Sequence, residues 1–169
     1  MAIQPLILAL TALLGTSHPE PPKIVEEYRA KVVAIADGDT VTVLRGQKQI
    51  RVRLEGIDAP ERSQAFGTRA KDSLADLVAG KVVTVRRTGT DQYGRTIARL
   101  FVDQIDVSQV QTEKGMAWHY SHFSTDETLA KLQDKARSDR AGLWSDSNAI
   151  PPWEFRKRGK SNVQRKPTE

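Results

Sequence analysis

"TVTVLRGQKQIRVRLEGIDAPE", residues 40–61, decides the architecture. Val41 and Val43 alternate with threonines, and Ile50, Val52 and Leu54 alternate with Arg51, Arg53 and Glu55. Strict alternation puts one face of each run in a core and the other in solvent, so both runs read as half-buried strands. "RGQK" between them has the glycine and the brevity of a hairpin turn. Upstream, "AKVVAIA" (30–36) is a further β-rich run, set off by Asp37-Gly38-Asp39, and the three strands make a meander. Downstream the chain passes through Gly56 into Asp58-Ala59-Pro60-Glu61, where the proline fixes its own φ and pushes Ala59 toward an extended conformation.

Farther along, Ala70, Leu74, Leu77 and Val78 recur at helical spacing over 67–79, with Gly80 where a C-terminal cap is expected. "KVVTVRR" and "RTIARLFV" read as two more strands flanking the loop "TGTDQYG". A short helix over 106–114 ends at Gly115. Ser124 with Glu127 has the form of a capping box opening a helix to about Arg140, with Leu129, Leu132 and Ala136 as its apolar stripe. The expected fold is α+β: a five-stranded OB-type β-barrel with about three helices, a shape that commonly binds oligonucleotides.

The 169 residues, 38% hydrophobic and 28% charged, suit one domain with tails. Without cysteine there is no disulfide, thiolate metal site or thiol nucleophile. A net charge of +5 favours polyanionic partners. Residues 1–17 carry no charge and an apolar run from Leu6 to Leu14, the length of a signal-peptide core and too short to span a bilayer. The expectation is a signal peptide cleaved after Ser17, export to the periplasm or medium, a proline-rich linker over 18–29, a domain over 30–156 and a basic, flexible tail over 157–169.

Asp39 opens one strand and Asp58 closes another, and both strand ends can meet at one mouth of a small barrel. Two carboxylates there, with the backbone carbonyl of Ala59, form the oxygen donor set of a hard divalent cation. Asp-Gly is also ordinary turn chemistry, and the ligand spacing of an EF-hand is missing. Arg53, on the polar face of its strand, and Arg95, after "DQYG", supply planar guanidiniums. Beside a cation they make sense if an anion sits among them, and a phosphodiester fits. Taken singly, each arginine reads equally as a cross-strand ion pair. Glu61 would then orient or deprotonate an attacking water. His119 and His122 lack the third ligand and the glutamate of a zinc motif.

"ADGDTVTV", "RVRLEGIDAPE", "DQYGR", "GLW" and "PPWEFR", in this order, resemble the staphylococcal nuclease (thermonuclease) family across roughly Ala30 to Arg156. The resemblance implies calcium bound by Asp39, Asp58 and the Ala59 carbonyl. It implies Arg53 and Arg95 on the scissile phosphate, Glu61 on the nucleophilic water, and Tyr93 on a substrate phosphate. It further implies cleavage of DNA and RNA at the P–O5′ bond, leaving 3′-phosphate ends. A monomer is expected, with no protein partner implied. The connection "RSQAF" after Glu61 is shorter than the lysine-rich loop of the best-known member. A second substrate-facing aromatic falls to Trp118 or Tyr120, while Trp144 and Trp153 are expected to pack the C-terminal segment. The rivals are a non-catalytic OB-type nucleic-acid-binding module and a protein adaptor; a pure binder has no use for three acids that would repel phosphate.

Overall fold

The computed structural model describes residues 23–163; the expected signal peptide and residues 18–22 of the expected linker lie outside them. Ten residues of β1 (Glu26–Ile35) span two partners. Its second half pairs antiparallel with β2 (Thr40–Arg45) and its first half with β5 (Val82–Thr90), and a bulge between Val32 and Ala34 bends it between the two. A hairpin at Gly46 and Gln47 joins β2 to β3 (Lys48–Leu54) in the register Thr40 to Arg53 through Arg45 to Lys48. β6 (Thr96–Val102) pairs antiparallel with β5 and parallel with β3, setting Arg53 beside Ile97 and Leu54 beside Ala98. That last pairing closes five strands into a barrel, the OB-type α+β fold expected from the alternation.

Alternation explains the core. Val32, Val41, Val43, Val52, Leu54, Val83, Val85, Ala98 and Leu100 are all buried on the inner face. Helix α1 (Gly67–Val78) adds Ala70, Leu74 and Val78 to the same cluster, as its spacing requires. The short strand β4 (Ile57–Asp58) follows the turn after β3, and β7 (Ile105–Asp106) extends the barrel sheet before α2 (Val107–Glu113). β8 (Trp118–His119) pairs with β4, placing Trp118 opposite Asp58. α3 (Glu127–Ser138) contributes buried Leu129 and Ala136, and α4 (Pro152–Val163) closes the described chain.

Three local expectations are corrected. The N-cap of α3 is Asp126, whose carboxylate accepts the amides of Thr128 and Leu129, while Ser124 Oγ accepts the Asp126 amide one step earlier. The expected linker gives way to β1 at Glu26, because Glu26 and Glu27 face Arg87 and Arg86 of β5 across the ladder, with an Arg86–Glu27 ion pair of 2.6 Å. Residues 157–163 of the expected flexible tail continue α4, so the described chain has four α-helices rather than about three. Among the described residues no helix is long and apolar enough to cross a membrane.

Candidate active site

Asp39 ends the turn between β1 and β2. Its amide donates to Asp37 Oδ1 at 3.1 Å, its carbonyl accepts the Leu54 amide at 2.8 Å, and its Oδ2 accepts the Ala59 amide at 2.7 Å. These bonds tie the start of β2 to the end of β3 and to the segment after β4. The turn itself is held from behind by Gln111 of α2, fully buried, whose Nε2 donates to the carbonyls of Gly38 (2.9 Å) and Ala70 (3.0 Å) while Oε1 accepts Ser73 Oγ. A Cβ on Gly38 would lie 2.7 Å from those of Ala59 and Ala70, so glycine is what lets α1 approach the turn.

Arg53 joins the two aspartates. Its Nη2 donates to Asp58 Oδ1 at 2.9 Å, its Nε lies 3.2 Å from Asp39 Oδ1, and its Nη1 donates to the carbonyls of Leu54 and Ile57. These contacts engage most of the five N–H groups and fix the guanidinium plane. Asp39 and Asp58 are 5% and 2% exposed, a burial that charged carboxylates tolerate only beside compensating positive charge. Burial raises the Asp39 carboxyl to about 7; the neighbouring Arg53 pulls against that, while Asp37 and Asp58 add to it. Arg53 is shared by the two acids and a second guanidinium, Arg156, holds Asp58 and the neighbouring Glu61, so this cluster of three carboxylates, when all are ionised, remains one positive charge short. All of its donors are oxygens, so the residues present fit a hard divalent cation such as calcium.

Glu61 stands next to this pair. Its amide donates to Gln64 Oε1 at 3.2 Å and its carbonyl accepts the Gln64 amide. A Cβ on Gly67 would fall 2.0 Å from the Glu61 carbonyl oxygen, so the tight turn after Glu61 depends on that glycine. Glu61 Oε1 accepts Arg156 Nη1 at 2.7 Å, and the same guanidinium grips both oxygens of Asp58. Burial works to lower the Arg156 pKa, but its bonds to Asp58 and Glu61 outweigh that and raise it. Among the described residues, no three His, Asp or Glu side chains form a preassembled metal cage, so the acids are held by arginines rather than by one another.

The structure thus brings together Asp39, Arg53, Asp58, Ala59 and Glu61. Ala59 is tied to the cluster through its N–H. Arg95 and Tyr93 sit apart, in the turn between β5 and β6. Arg95 Nε donates to Asp91 Oδ2 at 2.7 Å, and its guanidinium lies 5.8 Å from the Tyr93 ring centroid. Among the described residues no hydrogen bond or ion pair joins either side chain to the acids. The register places Ile97 beside Arg53, and Arg95 precedes Ile97 by two residues, just outside β6. Tyr93 is 75% exposed.

Of the two competing aromatics, Trp118 is buried, packed edge-on to Trp144 and Trp153 at centroid distances of 4.2 and 5.8 Å. Tyr120 is half-buried and stacks on Trp153 at 5.3 Å. His119 is buried with its Nε2 unpartnered, and its pKa is lowered by desolvation. His122 is exposed and meets the Tyr120 and Trp153 rings, so the two histidines do not assemble a zinc site. Gln64, Gln111 and Arg156 were not singled out by sequence. "PPWEFR" contains Arg156 but gives no sign of where its helix docks.

The chain matches the staphylococcal nuclease homologue family over residues 51–146. It is 41% identical over 138 residues to an uncharacterized endonuclease of Escherichia coli O157:H7, covering 81% of this chain and 90% of that one. It is 40% identical over 159 residues to an uncharacterized endonuclease of Haemophilus influenzae, covering 94% and 85%. A micrococcal nuclease of Shigella flexneri is 40% identical over 146 residues, covering 80% and 84%. The matched segment runs from the strand carrying Arg53 to the end of the Trp144 turn, and with these relatives it shows that the chain belongs to the staphylococcal nuclease family.

Proposed function

We propose that this nuclease is a calcium-dependent endonuclease that hydrolyses DNA and RNA with little sequence preference and leaves 3′-phosphate ends. The observation that carries the reading is the convergence of buried Asp39 and Asp58 on Arg53, with Glu61 held alongside. A bare OB-type binder gains nothing from burying two acids where phosphates must approach. Asp39 and Asp58, with the Ala59 carbonyl, would hold the calcium ion, which when bound supplies positive charge next to a phosphate oxygen.

The chain's own residues account for the rest. Glu61 orients a water for in-line attack on phosphorus and takes its proton. Arg53, its plane fixed by the Leu54 and Ile57 carbonyls, presents guanidinium charge to the equatorial oxygens, whose negative charge grows as phosphorus becomes five-coordinate. Arg95 reaches the diester from the turn before β6, and Tyr93 hydrogen-bonds a flanking phosphate. The P–O5′ bond breaks, the departing 5′ oxygen takes a proton from solvent water, the phosphate stays on the 3′ side, and Glu61 returns the proton it took to solvent. The reading includes export and action as a monomer.

Incubating the purified chain with supercoiled plasmid and with a single-stranded RNA, each with calcium, tests it. Fragments whose 3′ ends label only after phosphatase treatment support the reading. Retarded but uncut nucleic acid would make the chain a binding module.

A further inference from the structure

Arg156 lies 98 residues from Asp58 in sequence and grips both its carboxylate oxygens, Nη1 on Oδ1 at 3.2 Å and Nη2 on Oδ2 at 2.8 Å. The same Nη1 donates to Glu61 Oε1 at 2.7 Å. One guanidinium therefore bridges the acid assigned to the metal and the acid assigned to the water. Its helix, α4, is also seated by contacts away from the acids. Gln64 Nε2 donates to the Ile150 carbonyl at 2.6 Å just before the helix, and the Trp153 ring stacks on Tyr120.

We infer that Arg156 is an internal counter-cation of the metal site: it neutralises Asp58 and Glu61 in the metal-free chain and gives up Asp58 when a divalent cation loads, so that docking of α4 and cation binding oppose each other. The inference rests on the assignment of Asp39 and Asp58 as a calcium site. Asp58 already carries two guanidiniums, since its Oδ1 also accepts Arg53 Nη2. A divalent cation on the same oxygens would lie within a few ångströms of both, and like charges at that range repel strongly. One arginine has to withdraw, and their surroundings decide which. The Arg53 side chain is 13% exposed and anchored to two backbone carbonyls of its own segment, whereas that of Arg156 is 39% exposed on a peripheral helix.

The test is calorimetric titration of calcium into chelator-treated full-length wild type, Arg156→Gln and Arg156→Lys, with amide hydrogen exchange over residues 152–159 of the wild type with and without calcium. Arg156→Gln is expected to bind calcium roughly tenfold more tightly than wild type, because a repelling charge is gone. Arg156→Lys, which keeps the charge, should stay near wild type, and calcium should speed exchange in α4. Equal calcium affinity in wild type and Arg156→Gln, equally tight binding by Arg156→Lys, or α4 exchange unchanged or slowed by calcium would overturn the inference. Calcium binding by none of the three proteins would instead overturn the metal assignment beneath it. Should Arg156→Gln fail to fold, the wild-type exchange measurement decides alone.

Discussion

The Asp39 carboxylate accepts the backbone N–H of Ala59 at 2.7 Å, across twenty residues of sequence, and this bond draws the two acidic strand ends to one place. Its Oδ2 serves that N–H while Oδ1 faces Thr40 and Arg53, so a single side chain both builds the site and belongs to it.

Burial lifts the Asp39 carboxyl from its ordinary 3.8 to about 7. Between those values the folded chain holds a proton that the unfolded chain has released. The resulting stabilisation is full below the unfolded value and is lost as pH rises through about 7. In chelator, Asp39→Asn should therefore gain stability relative to wild type from about pH 4 to about pH 8, by at most about 4 kcal/mol. Urea denaturation of both proteins across that range checks it; a constant difference would contradict it. Because a metal ligand must be deprotonated, wild-type calcium affinity should also fall below about pH 7, approaching tenfold per pH unit for one proton.

Arg53→Ala leaves Asp39 without its ion pair and Asp58 with one guanidinium fewer. Removing one partner of a buried pair costs about 3–5 kcal/mol. We expect that loss in chelator and a smaller one in saturating calcium, where turnover falls at least a hundredfold. Thermal unfolding with and without calcium provides the comparison. An identical loss under both conditions would show that the aspartates hold no cation.

Gln111→Leu keeps the volume near α2 but takes the side-chain donor from the Gly38 carbonyl. An orphaned buried polar group costs about 1–3 kcal/mol. Since Gly38 precedes Asp39, calcium affinity should weaken along with stability, although Gln111 touches no proposed ligand. Unchanged calorimetric affinity would mean that the turn is held adequately without it.

Gly67→Ala would set a methyl group against the Glu61 carbonyl oxygen and force the turn to open. Overpacking of this kind costs about 1–3 kcal/mol. Calcium binding should persist, because Asp39 and Asp58 lie outside that turn, while kcat falls at least tenfold as Glu61 shifts. Wild-type kcat in Gly67→Ala would remove Glu61 from the proton transfer.

The barrel was legible because Val41, Val43, Val52 and Leu54 obey a period that only a one-sided strand satisfies, and short turns leave little choice of pairing. Asp39, Arg53 and Asp58 were legible for a related reason: they stand at strand ends that a closed barrel must bring together. Arg156 and Gln111 were not, because their partners lie far away in sequence and are chosen by how helices dock. Asp126 displaced Ser124 as the cap of α3 because three consecutive polar residues there compete for the same amides, and no period separates them. The part of α4 after Arg156 read as a tail because few apolar residues follow Phe155, and what seats the helix is Trp153 on the Tyr120 ring rather than an apolar stripe.

The most direct measurement is plasmid cleavage by purified wild type and Asp39→Asn over a calcium titration, beside a chelator control. The account predicts digestion by wild type that saturates with calcium, none in chelator, and a loss of several orders of magnitude in Asp39→Asn at calcium levels that saturate the wild type. Wild-type rates in chelator, or in Asp39→Asn, would contradict it.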